Sequence, residues 1–353
     1  MKFFLKYFTI LLGLFFAIFS CKKEETSEIP FHTQPYNLIL PKGFPQLIIP
    51  EDNPLTEEGV ALGRRLFYDP ILSGNLSQSC SSCHKQEAAF SDPGKKFSSG
   101  INGFTGRRNT QALINMGFNL HFFWDGRSKS IEEQAFDPVK NPLEMHLPWK
   151  DAADRIRNHS FYANEFEKIF GTKQIDSTHI VKALAQFVRT LISSDSRFDR
   201  RMRNEINLTT SELNGYVIFN TEKGDCFHCH GIDGGRLLTD NRFHNNGLDE
   251  EFTDLGLAEF TGKESDRGKF LTPTLRNIAL TGPYMHDGRF STLEEVIDHY
   301  NQGGKSSPTI DPLMKHVGSG LNLTKQEKAD LLAFLNSLTD STFISNKKYS
   351  SPF

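Results

Sequence analysis

The sequence predicts a mainly α-helical protein of two domains, and three observations carry that prediction. A five-residue motif of two cysteines and a histidine occurs twice, at Cys80 to His84 and Cys226 to His230, with its copies 146 residues apart. Apolar residues recur at helical spacing while strand-like alternation is nearly absent. The chain's 353 residues suit two domains of about 150 residues, each able to bury its own core.

Taken from the start, Lys2 and Lys6 precede an apolar stretch from Tyr7 to Phe19 that stops at Ser20-Cys21 and gives way to Lys22-Lys23-Glu24-Glu25. Residues 1–21 therefore read as an export signal, too short for a span of about 20 apolar residues. Cys21, behind Ile18-Phe19-Ser20, resembles the lipobox of a bacterial lipoprotein. That resemblance implies a lipidated Cys21 and an exported protein on the periplasmic side, anchored to a membrane by its lipid. Residues 22–50, with Pro30, Pro35, Pro41, Pro45 and Pro50, read as a tether. The first domain is expected over 51–205, the second over 206–342 and a tail over 343–353, with the boundary near 195–208.

Within the domains, Ile180, Val181, Leu184, Phe187, Val188 and Leu191 predict a helix over 177–192. Thr209 with Glu212 and Thr324 with Glu327 are capping boxes, which start helices toward Cys226 and over 325–338. The 40 Lys and Arg against 43 Asp and Glu are dispersed, and the cluster Arg197, Arg200, Arg201 and Arg203 reads as a solvated turn. No nucleic-acid partner is expected.

Four of the five cysteines sit in C-x-x-C-H motifs: Cys80, Cys83 and His84, then Cys226, Cys229 and His230. Two thiols three residues apart on one helical turn can meet the two vinyl groups of a haem edge, and the next His reaches the iron. Local disulfides, a split zinc site and a redox dithiol compete with that reading. A His directly after the second Cys in both copies is not zinc spacing, and no βαβ context supports a thioredoxin-like site. Two covalent haem c groups are thus expected, with His84 and His230 as iron ligands and His228 as a solvent-facing linker residue. The long Gly- and Pro-containing loops at 91–110 and 261–291 suit backbone folded over a large flat cofactor.

Further segments resemble the bacterial dihaem cytochrome c peroxidase family, which includes MauG. They are Leu62-Gly63-Arg64-Arg65-Leu66-Phe67, Gly106-Arg107-Arg108-Asn109, Phe123-Trp124-Asp125-Gly126-Arg127, Asn141-Pro142-Leu143-Glu144-Met145, Thr272-Pro273-Thr274-Leu275-Arg276-Asn277 and Pro283-Tyr284-Met285-His286-Asp287-Gly288. The resemblance spans about residues 53–340 and implies two cytochrome c-like domains, each with one haem. It implies that the N-terminal haem meets hydrogen peroxide and the C-terminal haem relays electrons from a cytochrome or cupredoxin. Glu144 then falls at the distal acid/base position, Gln134 at the hydrogen-bonding amide, Pro138 in the same pocket, and Trp124 between the haems. A calcium ion between the domains would take the Asn109 side chain and the Thr281 and Pro283 carbonyls, hard oxygen donors suited to it.

The sequence departs from the activatable peroxidases in having no His over residues 85–120, which implies an N-terminal iron left open. His146 could tune Glu144 or bind iron, or face solvent. For the sixth ligand of the second haem the residues leave two choices. Met285 is a thioether in the right loop, and Tyr300 falls at the family's ligand position. The expected activity is reduction of hydrogen peroxide to water. The alternatives are a MauG-like enzyme oxidising a protein or other substrate through high-valent iron, or a non-catalytic dihaem electron carrier. A homodimer is left open.

Overall fold

The computed structural model describes residues 32–231 and 236–353, and Thr33–Phe353 is one compact unit. Cys21 and the expected export signal lie outside the described residues. Among those described, no helix is long and apolar enough to cross a membrane.

Two helix crossings organise the chain, each made close by a glycine. The helix Glu57–Tyr68 starts where the Thr56 hydroxyl accepts from the Gly59 N–H, and it buries Val60, Leu62, Leu66 and Phe67. It crosses the helix Ser177–Arg189 at Gly63, where a Cβ would stand 1.9 Å from the Ala183 carbonyl oxygen. Any larger residue would push the helices apart. The helix Thr210–Phe219 meets Lys325–Ser337 in the same way at Gly215, where a Cβ would stand 1.9 Å from the Asp330 carbonyl oxygen. Both expected capping boxes start helices of this second pair.

Each crossing carries its own hydrophobic core. The first gathers Leu66, Phe67, Phe90, Tyr162, Phe166 and Phe187, and the second Phe198, Phe219, Leu331, Phe334 and Leu335. A third helix, Ile131–Lys140, is tied to the first crossing by Glu132, which pairs with Arg189 at 2.9 Å and accepts from Asn53 at 2.7 Å. Among the described residues, sheet is confined to one antiparallel pair, Phe243–His244 with Phe270–Leu271, in the register Phe243↔Leu271 and His244↔Phe270. The helices Trp149–Asn158, Ser160–Phe170 and Leu293–Asn301 complete the longer elements, joined among the described residues by short helical turns and loops.

Two segments behave differently from the tether and tail expected for them. From Thr33 onward the chain lies on the first core: Leu47 is buried, Tyr36, Leu38 and Phe44 pack beside it, and the Ile48 carbonyl accepts from Arg189 at 3.1 Å. The C-terminal residues also return to the first core rather than trailing. Phe343 is buried with its ring 5.6 Å from that of Phe90, the Tyr349 carbonyl accepts from the Tyr68 hydroxyl at 2.7 Å, and the Ser350 carbonyl accepts from Arg64 at 2.6 Å. Apolar side chains spaced too irregularly to show a period still bury when a core face is within reach.

Candidate active site: two cavities at the paired cysteine motifs

The first motif opens onto a cavity of about 610 Å³ lined by Cys80, Cys83, His84, Gln134, Pro138 and Glu144. The His84 ring is aimed by its Nδ1, 2.9 Å from the Phe90 carbonyl oxygen. That bond fixes the tautomer and leaves Nε2 for a metal. Burial pushes the imidazole's pKa down, which keeps it neutral, as a ligand must be. The carbonyl is presented by a left-handed turn at Ala89 and Phe90, with φ of 53° and 59°.

On the opposite wall the helix Ile131–Lys140 sets Gln134 and Pro138 four residues apart, on one face. At its end the Asn141 carbonyl accepts from the Glu144 N–H at 3.0 Å, and the Asn141 Nδ2 donates to the Glu144 Oε1 at 2.7 Å. Burial pushes the Glu144 carboxyl up, against the lowering effects of the Asn141 hydrogen bond and the Arg127 charge. His84 is the one imidazole lining this cavity among the described residues. His146 points out to solvent, its Nδ1 3.0 Å from the Asn102 Nδ2.

A second cavity, of about 270 Å³, is lined by Cys226, Cys229, His230, Met285 and Tyr300. The same device recurs: the His230 Nδ1 lies 3.1 Å from the Leu238 carbonyl oxygen, with Leu238 left-handed at φ 57°. Tyr300 and Met285 are brought together, since the Asn246 Nδ2 lies 3.1 Å from the Tyr300 hydroxyl and 3.5 Å from the Met285 sulfur. Burial raises the Tyr300 phenol's pKa to about 12. His244 lies between Asp240 at 2.8 Å and Asp311 at 2.6 Å. Burial disfavours its charge, but Asp240, the Cys229 thiol and Asp311 together push its pKa up to about 11. His228 is partly covered and sits beside Glu222, Asp225 and Lys315.

Between the cavities stands Trp124, which lines both. Its indole N–H donates to the Asn109 carbonyl at 2.8 Å, and its own carbonyl accepts from Leu271 at 2.9 Å. Asn109, Thr281 and Pro283 share the wall of the second cavity, and the Asn109 Nδ2 donates to the Lys95 and Lys96 carbonyls, both at 3.2 Å.

The residues fit a haem in each cavity. None of the four motif cysteines is in a disulfide, each lines its cavity, and each adjacent histidine is neutral and oriented. In the second cavity the buried His286 Nδ1 has no partner among the described protein atoms, a polar group left for a ligand to satisfy.

Comparison with known proteins agrees. Residues 57–207 match the family model "Di-haem cytochrome c peroxidase" and residues 213–339 match "Cytochrome c". The methylamine utilization protein MauG of Methylorubrum extorquens is 37% identical over 293 residues, covering 82% of this chain and 80% of its own. The chain belongs to the dihaem cytochrome c peroxidase family. The cytochrome c551 peroxidase of Nitrosomonas europaea is 33% identical over 83% of this chain and 82% of its own. A crystal structure of a MauG-like protein associated with microbial copper homeostasis superposes with a TM-score of 0.83 at 38% identity, covering 90% of this chain and 99% of that one. The dihaem protein thus has two cytochrome c-type domains and carries two haem c groups.

Sequence reasoning missed Asn246, the Asp240–His244–Asp311 cluster and the role of Arg108. Arg108 donates to Asp254 at 2.7 and 2.8 Å and to Glu259 at 3.0 Å, and it also binds Asp125. Asn245-Asn246-Gly247 reads only as a turn signal, and nothing local marks its partners 39 and 54 residues away. Arg108 stood within a family segment, but two of its three acids, Asp254 and Glu259, lie 146 and 151 residues on.

Proposed function

We propose that the protein reduces hydrogen peroxide to water at the haem of Cys80, Cys83 and His84, with electrons taken from a small redox protein through the second haem. The single observation that carries this is the first cavity's wall: Glu144, Gln134 and Pro138 face a space in which His84 is the one imidazole among the described residues. A bound haem supplies an iron that exchanges electrons with peroxide. The chain supplies the proton handling. A deprotonated Glu144 can take the proton from one peroxide oxygen and return it to the other, so that water leaves as the O–O bond breaks. Gln134 offers a carboxamide to orient the peroxide, and Pro138 bounds the pocket. The balance is one peroxide, two protons and two electrons to two waters, with two reduced donors oxidised.

Several finer assignments belong to this reading. Trp124, lining both cavities, passes electrons between the haems. Asn109, Thr281 and Pro283 offer three neutral oxygens to a calcium ion that braces the loops between the two halves. Tyr300 or Met285 completes the second haem. Cys21 carries a lipid that holds the protein at a membrane on the periplasmic side. The test is stopped-flow oxidation of a reduced cytochrome by peroxide with the dihaem protein and with Glu144→Gln; parent-like turnover by the variant overturns the reading.

A second reading is favoured by Tyr300, which lines the second cavity and falls at the ligand position where the family resemblance implies Met in ordinary peroxidases and Tyr in MauG. In that reading the enzyme oxidises a protein or other substrate, as a MauG-like protein. Peroxide consumption that does not require a reduced cytochrome but does require a second protein would favour it.

A further inference from the structure

The second cavity holds two candidate iron ligands of opposite chemistry, a hard phenolic oxygen and a soft thioether, and one side chain touches both. The Asn246 Nδ2 lies 3.1 Å from the Tyr300 oxygen and 3.5 Å from the Met285 sulfur, so one carboxamide nitrogen, with two hydrogens to donate, is within hydrogen-bond reach of both. The Asn246 backbone is held in place. Its carbonyl accepts from the His299 Nε2 at 3.0 Å, on the residue before Tyr300, and the next carbonyl, of Gly247, accepts from Lys305 at 2.7 Å. Asn245 on its other side is bound to Ser307 at 2.9 Å and Thr309 at 3.0 Å. The loop is therefore latched to the helix Leu293–Asn301 that carries Tyr300 and to the segment after it.

We propose that Asn246 is the positioning residue that makes Tyr300, rather than Met285, the sixth ligand of the second haem. A donor on the phenolic oxygen supports negative charge there and holds the ring in one orientation. The same amide occupies a lone pair of the Met285 sulfur, a weak acceptor that nothing else in the cavity ties down among the described residues. Removing the amide frees the thioether and weakens the phenolic oxygen in one step. This inference rests on the reading of Tyr300 as a haem ligand, and the experiment separates the two.

The purified dihaem protein is compared with Asn246→Leu and the isosteric Asn246→Asp, and with Tyr300→Phe in the parent background. The readouts are covalent haem content, near-infrared absorption of the oxidised protein, and the midpoint potential of the C-terminal haem. Expected are two haems in every variant, no Met-to-iron charge-transfer band in the parent, and a new band with a raised potential in both Asn246 variants, since Met ligation raises a haem's potential. Adding Met285→Leu to Asn246→Asp should abolish the new band. If both Asn246 variants keep the parent's near-infrared spectrum and potential while Tyr300→Phe alters them, the ligand stands and the positioning role is overturned. If Tyr300→Phe matches the parent, or the parent already shows the band, the ligand assignment falls and takes the inference with it. Should Asn246→Leu fail to accumulate, the Asp variant decides alone.

Discussion

The acid/base role proposed for Glu144 depends on where its carboxyl is held. The Asn141 side chain binds one oxygen at 2.7 Å, and the carboxyl lines the first cavity. Burial raises its pKa, so the deprotonated base is present only above a point higher than the usual ~4.3 of a glutamate, and it is lost as the pH falls through that raised value. The acid limb of kcat/KM for peroxide should lie above the ordinary carboxylate range. Asn141→Ala removes a contact that lowers the pKa, so that limb should move to higher pH, read from a pH profile of kcat/KM. Glu144→Gln should cost about 10²- to 10⁴-fold in kcat/KM at unchanged haem content, the usual size of a general acid–base contribution. His84 and His230 show the same dependence on a single neighbour, each aimed by one backbone carbonyl.

The C-terminal segment is an element whose placement matters beyond its own length. Phe343 lies 2% exposed against Phe90, the residue whose carbonyl orients His84. Phe343→Ala should destabilise by about 3–5 kcal/mol, seen as a lower Tm, because it empties a closed aromatic cluster. Another tie is buried: Asp199, in the helix Arg197–Met202, pairs with Arg276 through two hydrogen bonds of 2.8 Å, both side chains nearly inaccessible. Burial opposes the Asp199 charge, yet Arg276 and Ser196 hold the carboxyl below its usual range. A depressed pKa means the pair contributes stability above the unfolded value of about 3.9 and loses it as pH falls through the lower folded value. Asp199→Ala should cost about 3–5 kcal/mol at neutral pH, since it strands a buried guanidinium, and it should flatten the acid limb of stability in denaturant titrations.

For the whole molecule the question is how two cavities act as one enzyme. Trp124 touches both, and its N–H and carbonyl tie Asn109 from one half to Leu271 from the other. Arg108 adds a charged clamp across the same seam through Asp254 and Glu259. Trp124→Phe should leave both haems attached and the reduction of the second haem by donor at its parent rate, while peroxide turnover slows. Rapid-mixing spectra that follow each haem separately would measure this, and equal turnover would place the electron path elsewhere. Chelation of the proposed calcium should loosen the Asn109 and Pro283 loops and lower Tm without loss of covalent haem.

Legible in the sequence were the features whose chemistry is complete within a helical turn or two. These are the cysteine pairs with their histidines, the capping boxes at Thr209 and Thr324, and the period of the helix that buries Ile180, Leu184 and Phe187. Glu144, Gln134 and Trp124 were legible only through resemblance, because a carboxylate in a Pro-containing turn carries no local mark of what it faces. Only the tertiary structure placed Asn246 on Tyr300 and Met285, aimed the Phe90 and Leu238 carbonyls from left-handed turns without glycine, and returned Phe343 and Tyr349 to the first core. The physical reason is range. Spacing along the chain sets which groups share a turn, whereas hydrogen-bond partners dozens of residues apart are chosen by how the two crossings pack.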